Sequence, residues 1–401
     1  MPFRRSRDAG VALRPQPAPA QRRAAQPVTP AGDQEGPMPA PVPPPRGRWP
    51  VVLASMAALL MLGGAVAFSW WQTRDDAPVE AVPPPAVVGD TRSVLLVVEG
   101  ADGRATSLAL FVSDGVDDHR LLVAPPDLTM QIPGYGDGSL REAQAIEDAA
   151  LVRLALVNEL GVRIDETITL GPGEIEAMLV EAVRVDLPNA FIVNTPQGEV
   201  VSASAGSDVF VPGTAETLLV TQGADSPLEW LQRQRAVWEA IARQVSAAPG
   251  TAVAVAPGFD TISRPLGQAV VSVLPVDRVG VGISELYVVS RNADLLNQRI
   301  AFLALSDVAR PRVEILNATS LPGVTRPLAE VLIESGFRII KTDNAEERFR
   351  EETLIIAQGV PNQQAALDTQ TLLGAGDVVV DSSGSGVVDV SIIVGRDIAT
   401  R

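Results

Sequence analysis

Two stretches of the sequence hold side chains whose types and spacing suit binding chemistry. The first is EWLQRQRAVWEAIARQ (229–244), where Arg233 and Arg235 lie beside an apolar side made by Trp230, Leu231, Val237, Trp238 and Ile241. A guanidinium presents its donors in a planar fork that matches phosphate and carboxylate, so the two arginines are a candidate anion site. The plainer reading pairs Arg233 with Glu229, four residues earlier on the same helix face. The second stretch is VEILNATSLPGV (313–324), where an apolar strand ends at Asn317 and the chain turns through Thr319 and Ser320. A helix is expected from near Pro322, with Pro in its first turn and Ser320 as its cap. Asn317 then either holds a ligand at the helix start or ties the turn together with its own hydrogen bonds, and the structural role is the expected one.

Other chemistries are closed off. Cysteine is absent, which removes disulfides, thiolate metal sites and thiol nucleophiles. His119 is the one histidine and sits in the polar run DGVDDHR, where a solvated loop side chain is expected rather than a catalytic base or metal ligand. GPGEIE (171–176) lacks the lysine of a phosphate loop and reads as a turn, and no G-x-S-x-G occurs.

The elements that position these residues follow from periodicity. Short apolar runs at Ser93–Val98, Leu108–Ser113, Arg120–Ala124 and Thr167–Leu170 read as strands. Helical spacing marks Leu140–Leu160 as one helix closed by Gly161, then Glu174–Val180 and Leu228–Ala247, the last stopped by Pro249-Gly250. Strands alternating with helices indicate an α/β domain with a mixed sheet over 91–306. A smaller α/β module follows over 312–397, with strands Arg312–Leu316, Arg338–Thr342, Thr353–Ala357, Asp377–Val380 and Val388–Val394 around helices Pro322–Ser335 and Pro361–Leu373.

Ahead of these modules the composition changes. The first 50 residues hold 13 of the 33 prolines. Residues 1–48 carry eight Arg against three acids and read as a disordered tail. WPVVLASMAALLMLGGAVAFSWW (49–71) is free of charge and long enough to cross a bilayer as one helix, with tryptophans at both ends. Arg46 and Arg48 before it and Asp75 and Asp76 after it put the N-terminus in the cytoplasm and the rest outside. Residues 72–90, with three successive prolines, are a spacer. Beyond residue 71 there are 24 basic and 45 acidic residues, a balance that repels phosphate backbones and argues against a nucleic-acid partner.

Taken in order, these features resemble a known pair of modules. Residues 312–397 resemble the LytR C-terminal domain: VEILNAT is similar to its opening strand and turn, PGVTRPLAEVLIESGF (322–337) to its first helix, and VSIIVGRD (390–397) to its last strand. Residues 91–306 resemble a divergent LytR-CpsA-Psr domain. LVAPPDLTMQIPGYG (122–136) is similar to that family's strand ending in Pro-Arg-Asp, ALVRLALVNELGVRIDETITL (150–170) to its next helix, turn and strand, and WLQRQRAVWEAIARQ (230–244) to its Arg/Gln-rich helix. The resemblance implies an α/β fold that binds a polyprenyl-pyrophosphate carrier. The family's enzymes transfer glycopolymers from that carrier to peptidoglycan with Mg²⁺ assisting.

Several charged positions of the family pattern are replaced here. Its Pro-Arg-Asp arginine falls on Pro126, leaving Asp127; its earlier aspartate falls near Thr106–Leu108; and the first arginine of its Arg/Gln-rich helix falls on Trp230, while Arg233 is retained with Arg235 nearby. Loss of one such group costs about 10²–10³ in rate. The expectation is therefore a membrane-anchored envelope protein with a catalytically degenerate domain. It would bind cell-wall glycopolymer, a lipid-linked precursor or an envelope protein, with Asp127, Arg233 and Arg235 as a residual anion site and no cofactor. Two alternatives stand beside it: an active transferase using Mg²⁺ and substitute cations such as Arg141, Arg153 and Arg163, or an assembly scaffold with no small ligand.

Overall fold

The computed structural model describes residues 91–280, 286–290, 300–306, 308–384 and 386–399. The expected tail, membrane helix and spacer lie outside them, and among the described residues no helix is long and apolar enough to cross a membrane.

The first sheet is built from β1 (Arg92–Glu99), β2 (Ala105–Ser113), β3 (His119–Ala124), β6 (Glu166–Leu170) and β11 (Val270–Val273), in the order β11-β3-β2-β1-β6. The pairs β1–β2 and β2–β3 are antiparallel, whereas β1–β6 and β3–β11 are parallel, so the sheet is mixed as expected. Its central strands are apolar in unbroken runs because both faces are covered. Leu95, Val97, Leu108 and Leu110 enter one core, and Val94, Leu96, Ala109 and Phe111 the other. Between β3 and β6 come the hairpin β4 (Thr129–Ile132) and β5 (Gly136–Ser139), then α1 (Leu140–Glu147) and α2 (Ala149–Leu160).

The single helix expected over 140–160 is two helices. Asp148 takes φ 83°, and its carboxylate accepts the Ala150 N–H at 2.7 Å, so the side chain starts a new helix instead of continuing the old one. Residues 181–226, where periodicity assigned nothing, hold β7 (Val183–Leu187) paired with β10 (Gly206–Phe210), the hairpin β8 (Phe191–Thr195) and β9 (Gly198–Ala203), and α4 (Pro212–Val220); α3 (Glu174–Met178) precedes them. The long helix α5 (Pro227–Ala247) lies across the second face of the sheet, its Leu231, Val237, Trp238 and Ile241 in the core. The short helices α6 (Pro249–Val255) and α7 (Ser263–Leu266) follow it, and after β11 comes the antiparallel pair β12 (Val276–Val279) and β13 (Leu286–Val289).

The second sheet has the order β15-β14-β18-β16-β17, from β14 (Arg312–Asn317), β15 (Arg338–Asn344), β16 (Leu354–Gln358), β17 (Asp377–Asp381) and β18 (Val390–Val394). The helices α8 (Thr325–Glu334) and α9 (Gln363–Leu373) accompany it. The first begins three residues later than expected. Ser320 caps nothing: it stands at φ 65° in a turn closed by Asn317, whose Oδ1 accepts the N–H and hydroxyl of Thr319 and whose Nδ2 donates to the Leu321 carbonyl.

The two sheets share one core. Helix α2 is apolar nearly all round because it is covered on both sides. Leu95, Leu110, Leu154 and Leu156 belong to the same hydrophobic cluster as Ile315, Leu332, Ile333 and Ile339. Polar contacts fix the junction. The Asn158 amide, fully buried, donates to the Ile339 carbonyl and accepts the Ile339 N–H, both at 2.8 Å, and so covers the edge of β15. Arg310 donates to the carbonyls of Asn158 and Phe337, and burial together with the nearby Arg338 charge lowers its pKa to about 10. On the other flank, Gly134 lies so close to α8 that a Cβ there would come within 2.7 Å of the Arg326 Cα.

Candidate functional site

Of the residues singled out by sequence, Asp127 and Arg141 meet beyond the end of β3, against Trp230 at the start of α5. Pro126 and Asp127 follow β3, and α1 begins opposite them, its Arg141 N–H bonded to the Pro126 carbonyl at 2.8 Å. The Arg141 guanidinium grips Asp127 with two hydrogen bonds, Nε to Oδ1 at 2.8 Å and Nη2 to Oδ2 at 3.3 Å. Its flat face lies over the Trp230 ring, 5.5 Å from the centroid.

Beneath this pair, α5 meets the sheet through neutral groups. Gln234, wholly buried, donates to the carbonyls of Thr106 at 2.7 Å and Leu219 at 3.1 Å. The indole N–H of Trp230 reaches the Leu219 carbonyl, and that of Trp238 reaches the Ser107 hydroxyl at 3.0 Å. Thr106 donates to the Val98 carbonyl. The residues near which a carboxylate was expected from the family pattern therefore serve as hydrogen-bond partners of a tryptophan and a glutamine, Trp238 and Gln234.

Arg233 points away from this surface. It is 1% exposed. Its Nε donates to Asp225 at 2.9 Å, its two Nη groups reach the carbonyls of Leu218, Thr221 and Gln222, and Phe191 packs against the guanidinium face at 4.2 Å. Burial lowers its pKa, and the bond to Asp225 opposes that shift. Glu229 is not its partner because Glu229 closes a capping box with Ser226 at the start of α5. Arg235 is a surface residue, 3.6 Å from Glu239 one turn on. No hydrogen bond or ion pair joins Asp127, Arg233 and Arg235 to one another among the described residues. Arg141 is the cation that sequence reasoning underweighted; it lies fourteen positions from its carboxylate, a distance at which no local pattern signals the pair.

The other substitute cations also have local partners. Arg153 lies 3.7 Å from Glu334, and Arg163 pairs with Asp165. Among the described residues no three His, Asp or Glu side chains form a group that would hold a metal ion. The two carboxylates flanking α1 at the strand ends, Glu99 and Asp127, are engaged by Gln144 and Arg141. His119, expected in solvent, is 8% exposed: it opens β3 opposite Ser113, whose hydroxyl meets its Nδ1 at 2.9 Å, and it stacks on Phe111. The turn proper is 114–118, where Asp114 Oδ1 accepts three backbone N–H groups.

Comparison with known proteins gives two kinds of match. Residues 310–397 match the family model described as LytR cell envelope-related transcriptional attenuator, in agreement with the LytR C-terminal pattern of the sequence. No curated protein matches the chain. Similar solved structures include TagV of B. subtilis (13% identity, 54% of this chain and 98% of that one, TM-score 0.44) and TagT of B. subtilis (20%, 53% and 91%, TM-score 0.41). A LytR-Csp2A-Psr enzyme from Actinomyces oris is also similar (15% identity, 55% and 91% coverage, TM-score 0.42).

Proposed function

We propose that this chain is a membrane-anchored cell-envelope protein that binds cell-wall glycopolymer, its polyprenyl-pyrophosphate-linked precursor or an envelope partner without transferring the polymer. The observation that carries the reading is the state of two arginines, Arg233 and Arg141. Arg233 is enclosed with Asp225 and three carbonyls, and Arg141 is held by Asp127. Splitting a diphosphate builds negative charge that fixed cations or a metal must meet. Cations already matched by carboxylates meet little of it, and Trp230, Gln234 and Trp238 bring none. Residual anion contact in this reading falls to Arg141 and Arg235, which are partly exposed. Anchoring rests on the uncharged 49–71 stretch, and the envelope assignment on the family match at 310–397.

The test uses the full-length chain in lipid nanodiscs with a polyprenyl-pyrophosphate-linked glycan, peptidoglycan acceptor and Mg²⁺. The expected result is retention of the glycan with no cleavage of the pyrophosphate. Magnesium-dependent transfer that Asp127→Ala abolishes would establish the enzyme instead, and absence of any glycan binding would favour the scaffold.

A further inference from the structure

At the carboxyl ends of β14 and β15, two neighbouring parallel strands in which Asn317 pairs with Asn344, lies a cavity of about 230 Å³. Its walls are Asn317, Ser320, Leu321, Pro322, Asn344 and Arg348. Open α/β sheets bind ligands at such strand ends. The volume is below the roughly 300–1,000 Å³ typical of pockets for drug-sized molecules, which suits a single ring or terminal group.

The wall divides into a frame and a set of unused groups. Asn317 is the frame, its amide spent on Thr319 and Leu321. The Asn344 carboxamide, the Ser320 hydroxyl and the Arg348 guanidinium have no hydrogen bond or ion pair among the described residues. The nearby charged side chains that do pair are Glu347 with Arg350 and Lys341 with Asp343. Both loops at this edge also hold a residue in the left-handed region without being glycine: Ser320 at φ 65° and Phe349 at φ 66°. Only three such residues occur among the described ones, and such conformations gather at ligand sites. Phe349, one residue beyond Arg348, is 64% exposed.

The chemistry of the walls selects the ligand. One cation flanked in sequence by Asp343, Glu346 and Glu347 is a poor host for an anion. Three uncommitted polar groups of mixed donor and acceptor character over the apolar Leu321 and Pro322 match a molecule with a hydroxyl rim and a C–H face. We infer that this cavity is a binding site for one neutral sugar ring of a glycan, formed by Asn344, Arg348 and Ser320. The inference deepens the glycopolymer reading above by giving it a location, in the second module and not at the strand ends of the first.

The full-length chain, held in a zwitterionic detergent that carries no sugar, is titrated with chitotetraose and with cellotetraose, followed by saturation transfer to the sugar protons. Parallel titrations use inorganic phosphate, glucuronate and a neutral glycine-alanine peptide as competitors. Binding with a Kd on the order of 1 mM is expected for at least one oligosaccharide, a strength of about 4 kcal/mol that suits a single-ring site. Asn344→Ala and Arg348→Ala, both at exposed positions, should each leave the melting temperature unchanged and weaken binding about tenfold, the loss of one hydrogen bond to a charged or amide group. Displacement of the sugar by phosphate or peptide at lower concentration than by a second sugar would overturn the inference. Sugar binding untouched by either substitution, or no binding of either oligosaccharide, would overturn this site, while the glycopolymer reading stands or falls on the lipid-linked glycan in nanodiscs.

Discussion

Arg233 is surrounded by acceptors from four residues, Asp225, Leu218, Thr221 and Gln222, and by the Phe191 ring. Removing the side chain strands a carboxylate that is itself 9% exposed. Breaking a buried pair in this way costs about 3–5 kcal/mol, because the remaining charge loses its compensation. Arg233→Ala is therefore expected to lower the urea-unfolding free energy by about that amount, with glycan binding per folded molecule unchanged. A loss under about 1 kcal/mol, the range of exposed pairs, would mean the guanidinium is accessible and free to take an anion. The importance of Arg233 was readable from its place on an apolar helix face, but its direction was not. The Ser226–Glu229 spacing is a capping-box signature, and once Glu229 is committed to that cap Arg233 must look elsewhere. Its partner lies before the helix begins, where face geometry has nothing to say.

At the scale of elements, the apolar runs were enough to place the second sheet and all of the first but β11, because strands covered on both faces read as continuous hydrophobic stretches. Within 181–226, β9 and β10 were opaque for the opposite reason, being mostly exposed two-stranded pieces with no buried face to impose a period, whereas β7 alternates buried and exposed residues and its period was legible in VRVDL. Helix α2 shows a third case. Asn158 is the one polar residue in the run LALVNEL that is fully buried, and its partner is 181 positions away. The amide satisfies both backbone groups of Ile339 and stands in for a missing neighbour strand. Asn158→Ala leaves a buried N–H and a buried carbonyl unpaired, each worth about 1–3 kcal/mol. A loss of about 2–4 kcal/mol is expected by denaturant titration, with faster hydrogen exchange at the Ile339 amide. Unchanged protection at that amide would show that another group covers the edge.

At the scale of the molecule, the composition and order of segments announced two α/β modules, and nothing in either segment announced how they join. The junction is made of a helix covered on both faces, the buried Arg310 guanidinium across two carbonyls, the Arg338–Glu159 pair, and a glycine at 134 that admits the backbone of α8. Apart from the Arg310–Phe337 bond, these are contacts between positions over a hundred residues apart, invisible to local patterns. Their consequence is cooperative. Unfolding the second module alone would expose the α2 side chains that pack on it and strip Asn158 and Arg310 of their partners, so an intermediate with one module folded is disfavoured relative to both end states. Urea unfolding followed by a fluorophore placed on β17 and by exchange protection in β2 should therefore give coincident transitions. Destabilising either sheet, by Leu110→Ala in the first or Ile392→Ala in the second, should move both probes together. Two separated midpoints, or a shift confined to the mutated half, would mean the shared core does not couple the modules, and the proposed glycan site at the ends of β14 and β15 would then belong to an independently folding module.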